Sequence, residues 1–434
     1  MTNTTNTSKN TTAAFEDQAV KGKASSAEAI FGNVAKPMFG RGKINSPLKI
    51  ALTTLLLLVV FLLPIYLQAA GGNPLGSPLL SAAVFIGLFA ILGLGLNIII
   101  GYAGMLDFGR MAFYAVGAYA AMLLVPPLAE LLGGTFLSQL AFPIIVIFSG
   151  IAASFAGWLL SLPVMRLRGD YLAIVTLAFG EIVRLVLTNN PGGLTGGMSG
   201  LSRAHMIDLP LFDWLRETVY WAPSNDFILR VSTNLYWYYV VLILLLIVVV
   251  VVRRQDHSRL GRSWAAMRED EVAATAMGVN VTKAKTWAFV LGAFWGGAAG
   301  ACFGFYMGTV TPESFNFFNS VVVLAIVVVG GMGSIPGVLL GSVLITGAPE
   351  LIRWFAMNHL GQAGSEFQSL VANLRNLMLG LLMVLMMIFR TKGIIPMKPK
   401  FYKLYGSGKS SKGDSTDSAT GAVAEAAPKG GAGS

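Results

Sequence analysis

The 434-residue chain is poor in charge, cysteine and histidine, and each scarcity narrows the possible functions. Only 12% of its residues are charged, against about 25% in an ordinary soluble domain, so a surface of usual water-facing composition is excluded. The single cysteine, Cys302, excludes an intramolecular disulfide and a cysteine-cluster metal site. The three histidines, His205, His257 and His359, show no ligand spacing. We therefore expect no metal site, no catalytic residues and no enzyme activity in this chain.

Hydrophobic residues, by contrast, make up 55% of the chain, and the mean hydropathy is +0.67. The 50 glycines fit packed membrane helices, in which small residues let backbones approach closely. The net charge of +10 lies beside apolar segments, which is typical of cytoplasmic membrane loops rather than of a nucleic-acid-binding surface. The composition predicts an all-α polytopic membrane protein that contacts lipid and no nucleic acid.

Ten apolar segments lie in a membrane domain at 49–390, between polar, low-complexity tails at 1–48 and 391–434. They are Ile50–Ala70, Leu79–Ile100, Met111–Val125, Leu140–Leu162, Tyr171–Leu187, Leu235–Val252, Trp287–Met307, Phe317–Gly330, Ile335–Ala348 and Leu374–Phe389. A spanning helix needs about 20 residues, and the third, eighth, ninth and tenth segments are shorter. We predict about ten transmembrane helices, some of them short or broken.

The distribution of basic residues predicts the orientation. With the N-terminus inside, 25 of the 31 lysines and arginines lie in inner segments, five lie in outer segments and Arg184 lies within a span. This excess follows the positive-inside rule, so both termini and both tails are expected in the cytoplasm. An outer loop then covers about 188–234, and an inner loop covers about 253–285.

The inner loop contains a helix-forming stretch from Arg262 to Met277. Leu260, Trp264 and Met267 recur at helical spacing between charged residues, which predicts an amphipathic helix. Gly278 follows, as at many helix ends. From these residues alone, a helix lying on the lipid headgroups explains the pattern.

Two charge pairs and two glycine-rich breaks are candidates for a translocation path. Glu181 and Arg184 are spaced to share one helix face, either as a charge pair that locks helices together or as a ligand contact. Asp107 and Arg110 repeat this spacing in the first break. Interrupted segments in both halves of a transporter often mark a midplane site, although plain cytoplasmic turns are equally compatible with both breaks. The path candidates are Gly101, Gly104, Asp107, Glu181, Arg184, Gly331, Gly333 and Ser334.

A glycine ridge marks the segment Trp287–Met307. Gly292, Gly296, Gly300 and Gly304 form overlapping G-x-x-x-G steps, which permit very close helix packing. Because the ridge follows the inner loop directly, it either serves packing alone or passes movement of that loop into the bundle.

Several motifs, in order along roughly Leu79–Pro396, resemble the LivM-type permease family. They are Gly101-Tyr-Ala-Gly-Met-Leu-Asp-Phe-Gly109, Arg166-Leu-Arg-Gly-Asp-Tyr through Glu181-Ile-Val-Arg184, Thr195-Gly-Gly-Met-Ser-Gly200, Gly261–Gly278, Pro312-Glu-Ser-Phe315 and Val328-Val-Gly-Gly-Met-Gly-Ser334. Within Gly261–Gly278, the sequence Val272-Ala273-Ala274 followed by Gly278 is similar to the E-A-A-x-x-x-G loop by which ABC importer permeases dock their ATPases. Val272 stands where that motif has glutamate, and Glu271 precedes it.

The resemblance implies a permease subunit that imports leucine, isoleucine and valine across the bacterial cytoplasmic (inner) membrane. It implies a sister permease, two ABC ATPase subunits that bind ATP and Mg²⁺, and an extracytoplasmic amino-acid-binding protein. No cofactor is expected on this chain, because Gly408-Lys409-Ser410 lacks the first glycine of a phosphate-binding loop. The implied ATPase-coupling helix comprises Arg262, Arg268, Glu269, Asp270, Glu271, Ala273, Ala274 and Gly278.

Three alternatives stay open at this point. Permeases for urea, amides or other neutral amino acids look similar. An ion-coupled secondary transporter would need ionisable groups spread through the spans, and only Glu181 and Arg184 lie clearly inside one. A membrane enzyme lacks support, because the sequence shows no Ser/His/Asp, His/Glu or Cys cluster.

Overall fold

A computed structural model describes most of the segments predicted to be helical. It describes residues 76–131, 135–165, 167, 169–202, 226–350, 380, 381, 384 and 393–395. The predicted segment Ile50–Ala70, most of Leu374–Phe389 and nearly all of both tails lie outside these residues. The division into tails and a membrane domain, and the count of ten spans, therefore stay predictions.

The described residues form helices joined by short turns. The helices are α1 (Gly76–Asn97), α2 (Arg110–Leu131), α3 (Thr135–Val164), α4 (Asp170–Thr188), α5 (Asp226–Asp256), α6 (Arg259–Glu269), α7 (Glu271–Ala276), α8 (Val281–Met307), α9 (Phe317–Gly330) and α10 (Ile335–Ser342). Short 3₁₀ turns occupy Pro191–Gly193, Gly197–Ser199 and Pro312–Phe315. Two strands, β1 (Leu201–Ser202) and β2 (Thr309–Val310), pair antiparallel, with Leu201 opposite Val310.

Five described helices are long and apolar enough to cross a membrane. They cover Leu79–Tyr102, Phe142–Val164, Tyr171–Thr188, Asn234–Asp256 and Val281–Met307. Each matches a segment that the sequence predicted as a full span. The mostly helical, multi-pass membrane character of the chain is therefore confirmed.

For the short apolar segments, the agreement between predicted and observed helix bounds varies. Phe317–Gly330 forms α9 with the predicted bounds, and α10 continues through a π-helical turn, Val343–Gly347. The predicted end of the third segment at Val125 is wrong, because α2 runs on through Pro126 and Pro127 and has 22 residues. Two prolines remove two backbone donors, but they leave the final turn of a helix possible.

Helix α8 is the centre of the bundle, and its glycine ridge lies against α1 and α2. A β-carbon on Gly292 would lie 3.1 Å from the carbonyl oxygen of Gly95 in α1. A β-carbon on Gly300 would overlap the carbonyl oxygen of Tyr114 in α2. These approaches confirm the packing role predicted for the ridge, since only glycine brings the backbones this close.

The inner loop forms two helices, so the single helix expected from Arg262 to Met277 is wrong. The chain is extended at Asp270, with φ −156° and ψ 117°, between α6 and α7. The Asp270 carboxylate accepts hydrogen bonds from the backbone N–H groups of Val272 at 2.7 Å and Ala273 at 3.0 Å. An aspartate at this position caps a new helix start, which is why α6 ends one residue earlier.

Candidate functional site

Both predicted interruptions exist. After α1, a π-helical turn at Ile98–Tyr102 leads into residues 103–109, which are not helical. Between α9 and α10, Gly331 has φ +121° and Gly333 has φ +83°, a region that side chains rarely adopt. Ser334 then begins α10 by accepting a hydrogen bond from the N–H of Gly337 at 3.3 Å.

The structure brings the two breaks into contact. The side-chain oxygen of Asn97, at the end of α1, accepts a hydrogen bond from the N–H of Gly333 at 2.7 Å. A β-carbon on Gly101 would lie 2.5 Å from that same nitrogen. Sequence reasoning missed Asn97, although a polar residue in an otherwise apolar helix was a usable signal.

The non-helical residues 103–109 are held inside the bundle by side-chain hydroxyl groups. The N–H of Phe108 donates to Thr176 Oγ1 of α4 at 3.1 Å, and the N–H of Met111 donates to Ser320 Oγ of α9 at 3.3 Å. Within this linker, Asp107 is buried and accepts a hydrogen bond from the N–H of Gly109 at 2.9 Å.

Arg110, the first residue of α2, is completely buried. A β-carbon on Gly95 would overlap its guanidinium, and one on Gly296 would lie 3.5 Å from its Cζ. The guanidinium therefore lies between α1 and α8. None of its three nitrogens has a hydrogen-bond partner among the residues that the structure describes, and neither has Asp107 Oδ2.

Glu181 and Arg184 form the ion pair that their spacing predicted. Arg184 Nε donates to Glu181 Oε2 at 2.8 Å, and both side chains are about one-third exposed, at 33% and 35%. The pair lies on α4 beside the linker, since a β-carbon on the adjacent Gly180 would lie 3.5 Å from Gly109 Cα. A ligand-binding role for the pair stays a prediction.

The α6–α7 segment is fastened to the start of α8. Trp264 is fully buried and donates from its indole Nε1 to the carbonyl oxygen of Ala284 at 2.8 Å. Lys285 pairs with Glu271, with Nζ 2.7 Å from Oε1. Lys285, which the sequence analysis did not single out, is 3% exposed, so this is a largely buried connection.

A second connection joins α6 to the first break. Arg268 Nη1 donates to the carbonyl oxygen of Gly101 at 2.6 Å. A β-carbon on Gly104, which has φ +74°, would lie 2.9 Å from Arg268 Cγ. The structure thus brings one residue predicted for the coupling helix together with two predicted for the path.

The opposite face of α6–α7 is exposed. Ala274 packs inward at 4% exposure, whereas Val272 and Met277 are 62% and 85% exposed. The predicted residues Arg262, Glu269, Ala273 and Gly278 are also exposed. Gly278 has φ +82°, which confirms the left-handed stop expected there.

These features define the class: a multi-pass helical membrane protein with interrupted helices and an exposed segment fastened to its bundle. Residues 79–387 match the family described as branched-chain amino acid transport system / permease component. The chain belongs to this family.

Curated relatives agree with this family. The chain is 39% identical over 323 residues to the high-affinity branched-chain amino acid transport system permease protein LivM of Salmonella typhimurium, covering 73% of this chain and 70% of the relative. It is 27% identical to the probable LivM permease of Methanocaldococcus jannaschii, covering 73% and 92% of the two chains. It is 25% identical to LivH of Salmonella typhimurium, covering 61% and 81%. No solved structure matches the chain.

Proposed function

We propose that this chain is a permease subunit of an ABC importer that moves leucine, isoleucine and valine across the bacterial inner membrane. Two partner ATPases bind and hydrolyse ATP with Mg²⁺, a LivH-like sister permease completes the membrane path, and an extracytoplasmic protein delivers the amino acid. The names of the relatives support the substrate class and a paired permease. Both termini and the α6–α7 segment lie in the cytoplasm in this proposal, as the basic residues predict.

The observation that carries the proposal is the α6–α7 segment, which has one exposed face and two connections into the bundle. Val272 and Met277 offer apolar surface to a partner. The pairs Trp264–Ala284 and Lys285–Glu271 fasten the segment to α8. A segment that only rested on headgroups would not need buried polar connections, each of which requires good geometry to offset desolvation.

A displacement of the α6–α7 segment would reach the first break through the contact between Arg268 and Gly101. ATP-driven closure of the ATPases would press on α6–α7, and Arg268 would carry the displacement to Gly101. Gly101 contacts Gly333 in the second break, so both breaks would respond together. Alternating access follows if nucleotide binding stabilises the outward-open arrangement relative to the inward-open one.

The test is uptake by the complete complex in proteoliposomes, with leucine, isoleucine, valine and urea compared. We expect uptake of the three branched-chain amino acids that requires both ATP and the binding protein, and little uptake of urea. Uptake of urea in preference to leucine would reassign the substrate. Uptake by this chain alone without ATP would favour a secondary transporter and overturn the proposal.

The docking face is tested separately by the substitution Met277→Asp. Met277 is 85% exposed, so a charge at this position leaves the fold intact. When an apolar partner surface docks there, however, the new carboxylate loses its water, which is unfavourable. We expect co-purification of the ATPases to fall at least about tenfold, since an unpaired buried charge costs several kcal/mol. Met198→Asp is the matched control, because Met198 is 71% exposed and shortly precedes β1, which pairs with β2 just after the end of α8. Equal ATPase recovery from both variants would contradict the docking role.

A further inference from the structure

The strongest unexplained feature of the described residues is the Arg110 guanidinium. It is completely buried, and its three nitrogens have no hydrogen-bond partner in the described structure. A charged group inside a membrane bundle is costly, and such groups usually pair with one another or face a functional cavity. Arg110 makes no ion pair with any described residue, so its environment in this arrangement is incomplete.

Asp107, the nearest charged neighbour of Arg110 along the chain, also has a buried atom without a hydrogen-bond partner among the described residues. Asp107 is 1% exposed, and its Oδ2 has no partner, although Oδ1 is held by the N–H of Gly109. The two residues flank the point where the linker turns into α2, and no ion pair within the usual 4.0 Å joins them. One unmatched positive group and one unmatched negative oxygen therefore lie close together at the first helix break.

We propose that Arg110 and Asp107 form the binding site for the charged groups of a zwitterionic α-amino acid, with the guanidinium taking the carboxylate and the Asp107 carboxylate taking the ammonium. The inference rests on the proposed import function and adds the subsite. Arginine suits the carboxylate because its planar fork donates two parallel hydrogen bonds to it.

The position in the bundle supports this assignment. The guanidinium lies between Gly95 of α1 and Gly296 of α8, and Gly296 is the sixteenth of the 27 residues of α8. Arg110 is thus near the middle of α8. Because it is fully buried, the site is occluded in this arrangement and opens only when α1, α2 and α8 move apart. The Arg268–Gly101 hydrogen bond connects the coupling segment to the end of α1, one of those helices.

A purely structural role would give Arg110 different surroundings. Where this chain builds a stabilising pair, at Glu181 and Arg184, nitrogen and oxygen lie 2.8 Å apart. The guanidinium of Arg110 has no such contact among the described residues, although glycines of both α1 and α8 lie against it.

The first experiment measures coupling in the complete complex. Arg110→Lys keeps the charge but removes the planar fork, and we expect leucine uptake to fall at least tenfold. The complex should purify in normal yield and at an unchanged melting temperature. Loss of uptake together with loss of yield or of thermal stability would indicate a structural role and overturn the proposal.

The second experiment separates mutual compensation from ligand binding. If Asp107 and Arg110 only neutralise each other, the double variant Asp107→Asn/Arg110→Met should recover uptake relative to either single variant. If they bind the ligand, the uptake rate of the double variant should be no higher than that of the single variant with the lower uptake rate. Recovery to within threefold of the wild type would overturn the proposal.

The third experiment detects binding without transport. The complex without its binding protein is mixed with L-leucine, with L-leucinamide, which lacks a carboxylate, or with 4-methylpentanoate, which lacks an ammonium group. Only L-leucine should raise the melting temperature of this complex. Arg110→Met should lose the leucine shift. A leucine shift that persists in this variant, or none in the wild type up to the solubility limit, would overturn the subsite. Failure of the import function is distinguishable, because the wild-type complex would then show no uptake of branched-chain amino acids driven by ATP and the binding protein.

Discussion

Two regions of the molecule contain the same sequence pattern, an acid three residues before an arginine, and they fold differently. Glu181 and Arg184 lie within α4, and their side chains meet at 2.8 Å on a partly exposed face. Asp107 and Arg110 lie across the start of α2, where the first three residues of the pattern are not helical. There, both side chains are buried and neither pairs with the other.

The difference shows that spacing along the chain predicts an ion pair only inside a continuous helix. Residues three apart are neighbours when the backbone between them is helical. The hydrogen bond from Gly109 N–H fixes Asp107 within the linker, while α2 directs Arg110 between α1 and α8. At the α4 site, pairing lowers the desolvation cost of the two charges. At the break the two charges are separated, so their desolvation cost is left for a ligand to offset.

The largest effect that would sharpen this contrast is expected from Gly95→Val. A β-carbon at Gly95 overlaps the Arg110 guanidinium and comes within 3.1 Å of the carbonyl oxygen of Gly292. Overpacking a close-packed core costs about 1–3 kcal/mol, and here it also displaces a buried charge. We expect uptake to be lost and the melting temperature of the complex to fall by about 5 °C or more.

Gly180→Val is the matched control, because Gly180 also lies in a helix interior and precedes Glu181 directly. A β-carbon there meets nothing closer than 3.5 Å. Uptake should stay within twofold of the wild type. Equal damage from both valines would show that the surroundings of Arg110 are no tighter than those of the α4 pair.

An intermediate effect is expected from Arg268→Met, which removes the hydrogen bond to Gly101. A hydrogen bond from a charged group contributes about 1.5–3 kcal/mol, so uptake should fall roughly tenfold while ATP hydrolysis continues. Measuring amino acid imported per ATP hydrolysed reports this uncoupling. Arg262→Met is the control, because Arg262 lies on the same helix, is exposed like Arg268 and loses the same charge. An unchanged ratio in Arg268→Met would show that the first break receives no force through this bond.

Much of the fold followed from the sequence because membrane helices have a strong local signal. Apolar length identified the five long described spans, and the glycine ridge in α8 predicted its close packing. The end of α2 was missed because the segment was bounded at Val125, whereas the helix continues through Pro126 and Pro127 to Leu131. The division of the inner loop was missed because good helix formers surround Asp270, and only the hydrogen bonds that it accepts from Val272 and Ala273 identify it as a cap.

The site was predicted less completely, because its geometry depends on contacts between distant segments. The glycines of both breaks were identified, but Asn97, which joins them, makes its contact across 236 positions of the chain. Arg110 was placed in the first break, with a midplane site and a cytoplasmic turn both left open, because nothing local shows that α2 directs its side chain between α1 and α8. Lys285 was overlooked for a similar reason, because its partner Glu271 belongs to another helix.

The smallest effect is expected at the α4 pair, and it completes the comparison. Glu181 and Arg184 lie in the candidate span Tyr171–Thr188, where pairing of their 33–35% exposed side chains lowers the cost of both charges. The neutral double variant Glu181→Gln/Arg184→Met should keep uptake within twofold of the wild type. Each single variant should do worse than the double, because it leaves one charge unpaired on a partly buried face. This order is the reverse of the one expected at Asp107 and Arg110, where neutralising both residues brings no recovery. A tenfold loss of uptake in the α4 double variant would show that Glu181 and Arg184 also take part in transport. The i,i+3 ion pair could then no longer serve as the structural reference for Arg110.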